Sequence, residues 1–369
     1  MKFSLLAPAA FAAFAGLALS ASAQTHHYQI LDIGVLSGQA DSIGLGINAS
    51  GAVVGRSGSR AFVYRNCRIS DLGLLPNGTS ALANAINNNG EIAGQAVGSD
   101  HGTHAVSWHD GSIHLLQPGL TYQSQAIAIN GPGKVAGYEY NGQVAYATAY
   151  ENDLNVVVNS DNDATYGWGS VTVATGINSS NQLVGYRNIF NSPQNQFIAQ
   201  LGVVTPPGSE LWTRINGPTG FTNYVTAWAI NEGGATAGWA QGAGFDTRAF
   251  LSTSPSSAAK NLGTLGGTLS QAFGLNNARW VVGKSTTATN ATVAFLYDGV
   301  SMVNLNTTLV NGSGWTLISA SAINDYNQIT GVGVHNGQSR GFLLLPVATA
   351  QPILIPPCSI IVSQPIALQ

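Results

Sequence analysis

The stretch Ala272-Phe273-Gly274-Leu275-Asn276-Asn277-Ala278-Arg279-Trp280-Val281-Val282-Gly283 is one of seven copies of a single pattern. Its asparagine recurs as Asn48, Asn87, Asn130, Asn178, Asn231, Asn276 and Asn324, each preceded by Ile or, once, by Leu275. Seven residues later a glycine always stands: Gly55, Gly94, Gly137, Gly185, Gly238, Gly283 and Gly331. The fourth and second residues before each asparagine are Gly or Ala in every copy. Small residues alternating with larger ones describe a period-two strand whose small face is approached closely by another backbone.

The asparagine then opens a turn. Three residues on come Gly51, Gly90, Gly133, Asn181, Gly234, Arg279 and Asn327, and all but Arg279 tolerate left-handed backbone. Asn at the first position of a type I turn bonds the backbone two residues on, so the seven asparagines read as structural groups.

Successive asparagines are 39, 43, 48, 53, 45 and 48 residues apart, the length of a four-stranded propeller blade. A second strand follows each turn, as in Val53-Val54-Gly55. A third follows as Arg60-Ala61-Phe62, His104-Ala105-Val106 or Arg248-Ala249-Phe250, and a fourth as Ser70-Asp71-Leu72-Gly73. The expected fold is all-β, a seven-bladed β-propeller of four-stranded blades over residues 24–346, with a Pro-rich tail over 347–369. Ile30-Leu31-Asp32-Ile33-Gly34 matches a fourth-strand segment yet precedes the first repeat, and the last repeat runs from Phe342 into Pro346 without one. The N-terminal strand is therefore expected to complete the last blade and close the ring, which removes exposed sheet edges.

Composition agrees. Charged residues are 8% of the chain while Gly numbers 45, which suits short strands and tight turns and excludes a helical solenoid. A net charge of −3 with 13 scattered Lys and Arg provides no basic stripe, so nucleic acid is not an expected partner. Lys2, the apolar run Leu5 to Leu19 and the small residues Ala21-Ser22-Ala23 read as an export signal over residues 1–23. That run is too short to span a bilayer, and no membrane span is expected. The mature product is expected to be secreted or periplasmic. There Cys67 and Cys358, near the two ends of the mature chain, can pair or stay free.

The run Leu262-Gly263-Thr264-Leu265-Gly266-Gly267, the Ile-Asn turns and the Arg-Ala-Phe strands resemble bacterial extracellular HAF-repeat proteins. The resemblance spans nearly the whole mature chain and implies the repeat type. It implies no activity and no site residues. The eponymous His-Ala-Phe appears here only as variants such as Arg60-Ala61-Phe62, so its histidine reads as replaceable.

The usual catalytic motifs are missing. Gly283-Lys284-Ser285-Thr286 ends like a phosphate-binding loop, but Ala278 stands where the first glycine belongs, and the repeat puts Gly283 on a strand. His101, His104, His109 and His114 cluster in sequence, yet consecutive strands scatter them; Asp161-Asn162-Asp163 lacks the rest of a calcium loop. No catalytic residue, metal or cofactor is expected. A ligand is instead expected at a rim of varying residues just after each repeat glycine, namely Arg56, Gln95, Tyr138, Tyr186, Trp239 and Lys284, joined by Trp168 and Trp212 on the longest insertions. The expected role is a binding module for a glycan or protein, ahead of an extracellular hydrolase or lyase and of a structural envelope component.

Overall fold

Each repeat asparagine ends one strand and folds the chain straight back into the next. The computed structural model describes residues 26–117, 123–140, 145–151, 154–157, 171–191, 196–209 and 211–348. In the first repeat the four strands are Ser42–Ile47, Val53–Ser57, Arg60–Arg65 and Arg68–Asp71, each antiparallel to the one before. The first three repeats form separate four-stranded sheets. The next three join into one twelve-stranded sheet only through the single-residue parallel pairings of Gln200 with Tyr224 and Thr247 with Leu269. The last repeat supplies Trp315–Ile323, Ile329–His335 and Gln338–Pro346. Its fourth strand is N-terminal: Tyr28–Asp32 runs antiparallel to Gln338–Pro346, with Tyr28 opposite Pro346 and Asp32 opposite Phe342. Among the described residues no α-helix is present, and no helix is long and apolar enough to cross a membrane. The expected export signal, the tail beyond residue 348, Asp161-Asn162-Asp163, Trp168 and Cys358 lie outside the described residues.

The turn does more than reverse the chain. In every repeat the N–H three residues on donates to the asparagine carbonyl at 3.0–3.2 Å, and that residue takes a φ between 59° and 94°. Arg279 adopts this geometry too, with φ 65°, at a cost of roughly 1–2 kcal/mol for a side chain in left-handed backbone. Each asparagine Oδ1 accepts the N–H four residues on, as from Ala52 at 3.0 Å and Ala235 at 2.9 Å. Each Nδ2 donates outward to the carbonyl of the next repeat's asparagine. Asn48 donates to Asn87, and so on to Asn276 and Asn324, and Asn324 donates to Asn48, all at 2.8–3.3 Å. The side chains are buried, so these donors and acceptors would be costly to leave unmet.

The first strand is not a plain period-two strand. In all seven repeats the residue four before the asparagine pairs opposite the repeat glycine and the residue two before pairs one step on, so the residue between them is an unpaired β-bulge. Just ahead of the bulge, the carbonyl oxygen five residues before the asparagine presses onto the Cα of the repeat glycine. A Cβ at Gly55, Gly137, Gly238 or Gly283 would fall on the carbonyl of Ile43, Gln125, Thr226 or Gln271. The small residues two before the asparagine have a different reason. A Cβ at Gly46 or Gly274 would stand 2.9 Å from the Cα of Ala85 or Ala322 in the neighbouring repeat, which is the close backbone approach the alternation predicts.

Apolar side chains collect between neighbouring repeats. Phe62, Phe250, Phe295 and Phe342 of the Arg-Ala-Phe-type strands are fully buried. One cluster joins the ends of the chain, packing Leu343 and Leu345 of the last repeat and Leu31 and Ile33 against Val53, Phe62 and Tyr64 of the first. The other face of the N-terminal strand buries Tyr28 and Ile30 against Leu296, Leu317 and Phe342. His26 anchors the segment by an Nε2 to Oδ2 contact of 2.9 Å with Asp298. Burial opposes ionisation of Asp298, but the bonds from His26 and the N–H groups of Ser301 and Val300 outweigh it and hold the carboxyl below its ordinary pKa.

Candidate binding site

The seven bulge residues are Leu45, Asn84, Ile127, Thr175, Trp228, Phe273 and Ser321, and all seven line one cavity of about 460 Å³. Ile47, Ile86, Ile177 and Ile230, each just before a repeat asparagine, line both this cavity and a second hollow of about 220 Å³ that is rimmed by the turns and carries Glu232 and Asp325. Both acids are engaged there. Ser179 donates to Glu232 from backbone and side chain, and Asn277 does the same to Asp325.

The bulge explains why these side chains reach the cavity. A residue left out of the ladder is aimed by the local kink rather than by the pleat, and both the paired residues around it are small. The polar members are partly used by the scaffold: Asn84 Nδ2 donates to the Ala126 carbonyl at 2.7 Å and Thr175 Oγ1 to the Ala227 carbonyl at 2.9 Å. Trp228 and Phe273 are aromatic and half-buried.

The residues after the repeat glycines lie within the second strands rather than at their exits, Arg56 inside Val53–Ser57 and Trp239 inside Thr236–Gln241. The structure brings two pairs of them together. Trp239 stands 5.5 Å from Trp228 and 5.6 Å from Phe273 between ring centres, and Lys284 Nζ lies 5.7 Å over the Phe273 ring. Tyr138 and Tyr186 are neighbours: burial pushes both phenols up, and the nearby Tyr186 pushes Tyr138 further. Arg56 is tied to Asp41 at 3.2 Å and to the Gly58 carbonyl at 3.0 Å. Gln95 is half-buried within Ile92–Val97. Trp212 sits apart, packed on the cluster of Ala136, Ala147, Ala174 and Leu183, where it anchors a long connection. Cys67 occupies the turn between the third and fourth strands of the first repeat with φ 58°.

The histidines scatter only in part, because the third and fourth strands of the second repeat bring His109 and His114 together. His104 bonds the exposed Asp100 at 2.9 Å, whose carboxyl this bond holds low, while His109 and His114 stack on each other at 4.0 Å. Among the described residues no group of three His, Cys, Asp or Glu stands close enough to hold a metal ion.

Sequence reasoning missed the bulge residues. Their signal was present: the position three before the asparagine holds Leu, Asn, Ile, Thr, Trp, Phe and Ser, the one variable site between two small ones.

No family model and no curated protein matches the chain. Among solved structures it is similar to YCF48 bound to D1 peptide, with 14% identity and a TM-score of 0.51 over 88% of this chain and 97% of that one. It is also similar to the extracellular domain of a putative hybrid two component system from B. thetaiotaomicron, with 10% identity and a TM-score of 0.48, covering 85% of this chain and 40% of that one. A third is Trypanosoma rangeli sialidase in complex with 2,3-difluorosialic acid, at 8% identity and a TM-score of 0.42, covering 86% and 58%. At such identities the likeness concerns fold alone: the chain is all-β with β-propeller-like neighbours.

Proposed function

We propose that this chain is an exported β-propeller of HAF-repeat type, with seven blades closed by its N-terminal strand, that works as a non-enzymatic binding module. Its ligand is a glycan or peptide segment seated in the cavity at the blade axis. Support for closure comes from the seven asparagine side chains bonding in sequence back to the first, and from the core cluster that unites Leu343 and Leu345 with Val53 and Phe62. The observation that carries the function is the convergence of seven differing bulge side chains on one cavity of about 460 Å³, a size suited to a small ligand or a single chain segment. The lining sets these seven varying side chains among the small residues and isoleucines that repeat. Protein binding has a precedent of fold in YCF48 bound to D1 peptide.

A glycan array and a peptide library, screened with the purified mature protein and with Trp228→Ala, test the reading. The expected result is saturable binding by the parent and loss in the variant, with a cooperative melt showing that the variant remains folded. Turnover of a bound glycan, or binding that survives Trp228→Ala, would count against it.

A further inference from the structure

At the fifth and sixth repeats the cavity is lined by the aromatic Trp228 and Phe273, and Trp239 and Lys284 stand against these two rings. We infer that Trp228, Trp239, Phe273 and Lys284 form a subsite for a carboxylated sugar ring, a uronic acid unit of an acidic glycan; this rests on the cavity being the ligand seat. Trp228, Trp239 and Phe273 lie 5.5–6.2 Å from one another and meet at inclinations of 36–79°. Such a corner presents apolar ring surface to the C–H faces of a flat ligand from more than one side.

Lys284 decides the charge. Its ammonium rests over the Phe273 ring at 5.7 Å, and among the described residues no carboxylate bonds it. Arg56, by contrast, is already bound to Asp41. A cationic ligand would meet Lys284 as a like charge, which rules out an aromatic cage for a quaternary ammonium. A neutral ring would leave the ammonium with its π contact alone, whereas a carboxylate gains a charge-assisted hydrogen bond. The bulge residues, the residues two before them and the residues after the repeat glycines include no Asp or Glu in any repeat.

One polar group beside the corner suits hydroxyls. Half-buried Gln271 pairs opposite Lys284 and offers its amide there, whereas Thr226, opposite Trp239, is buried and donates its hydroxyl to Gln200 Oε1 at 3.3 Å. An amide offers donors and an acceptor together, which a ring bearing hydroxyls needs. A cavity of about 460 Å³ holds one or two such rings.

Isothermal titration of the parent, Lys284→Met and Trp239→Ala tests this, using digalacturonate, dimannuronate, their methyl esters and an acidic tetrapeptide, with thermal melts to verify folding. The expected result is that one of the uronates binds the parent about ten-fold more tightly than its ester. Lys284→Met brings the acid down to the level of the ester, and Trp239→Ala abolishes both. Equal affinity for acid and ester, or no effect of Lys284→Met, overturns the assignment. Preferential binding of an ester or the tetrapeptide that depends on Trp239 overturns the acidic sugar but leaves the cavity as the ligand seat. Silence with every probe overturns the acidic sugar as well.

Discussion

Asn231→Asp exchanges one amide nitrogen for oxygen and leaves the shape of the side chain unchanged. Asn231 is 6% exposed; its Nδ2 donates to the Asn276 carbonyl at 3.1 Å and its Oδ1 accepts the Ala235 N–H at 2.9 Å. The variant keeps the acceptor for its own turn, but at neutral pH a carboxylate oxygen faces the carbonyl oxygen of Asn276. An unmet buried carbonyl costs about 1–3 kcal/mol, and confining the new charge adds to it, so we expect a loss of roughly 2–4 kcal/mol at pH 7. For a mature chain of this length that corresponds to a melting temperature lowered by roughly 3–6 °C. Only the protonated carboxyl can donate to Asn276, so its pKa in the folded protein is raised above the unfolded value. The stabilisation from that bond is fully present below the unfolded pKa of about 3.9 and is lost as pH rises through the folded pKa. The deficit relative to the parent is thus small near pH 4 and complete at pH 7. Urea unfolding of both proteins at the two pH values measures it. Equal deficits at both, or a variant within about 0.5 kcal/mol of the parent at pH 7, the range of an ordinary surface change, would refute the bonding role.

Two further predictions concern the scaffold. Deleting residues 24–36 removes the ladder from Tyr28 to Asp32 and the buried Tyr28, Ile30, Leu31 and Ile33; at about 1.5–3 kcal/mol for each buried side chain, the melt is expected to collapse, and an unchanged melting curve would deny the closing role of this strand. Gly283→Ala drives a Cβ onto the Gln271 carbonyl, whereas Gly244→Ala meets nothing within 4 Å at an ordinary φ. The first is expected to lose more than about 3 kcal/mol and the second less than about 0.5 kcal/mol in the same urea assay.

Much of the scaffold was legible because it repeats. The asparagine and the glycine seven residues on recur in every copy, and the turn bonds and carbonyl contacts account for both. Arg279 was the one doubtful turn residue, and it shows that the Asn276 bonds enforce left-handed backbone even on a long side chain. The bulge was not legible. Small residues four and two before each asparagine read as one continuous strand face, and a skipped ladder position leaves no residue of its own type in the sequence. The site inherited that gap: Trp239 and Lys284 were found by their variation, while Trp228 and Phe273, which they touch, went unnoticed. Trp212 read as a rim aromatic but packs as an anchor, since aromatic character alone does not say which way a ring faces.

Seven side chains stand outside the hydrogen-bond ladder that holds the sheets together. Exchanging one for another costs no strand register and no turn, so Leu45 and Trp228 can share a common frame although their sizes differ greatly. The proposed binding role thus falls on positions apart from the asparagines and glycines that hold the frame, although Asn84 and Thr175 serve both by bonding the neighbouring repeat. A frame of this kind lets the cavity lining change one letter at a time with the ladder left intact.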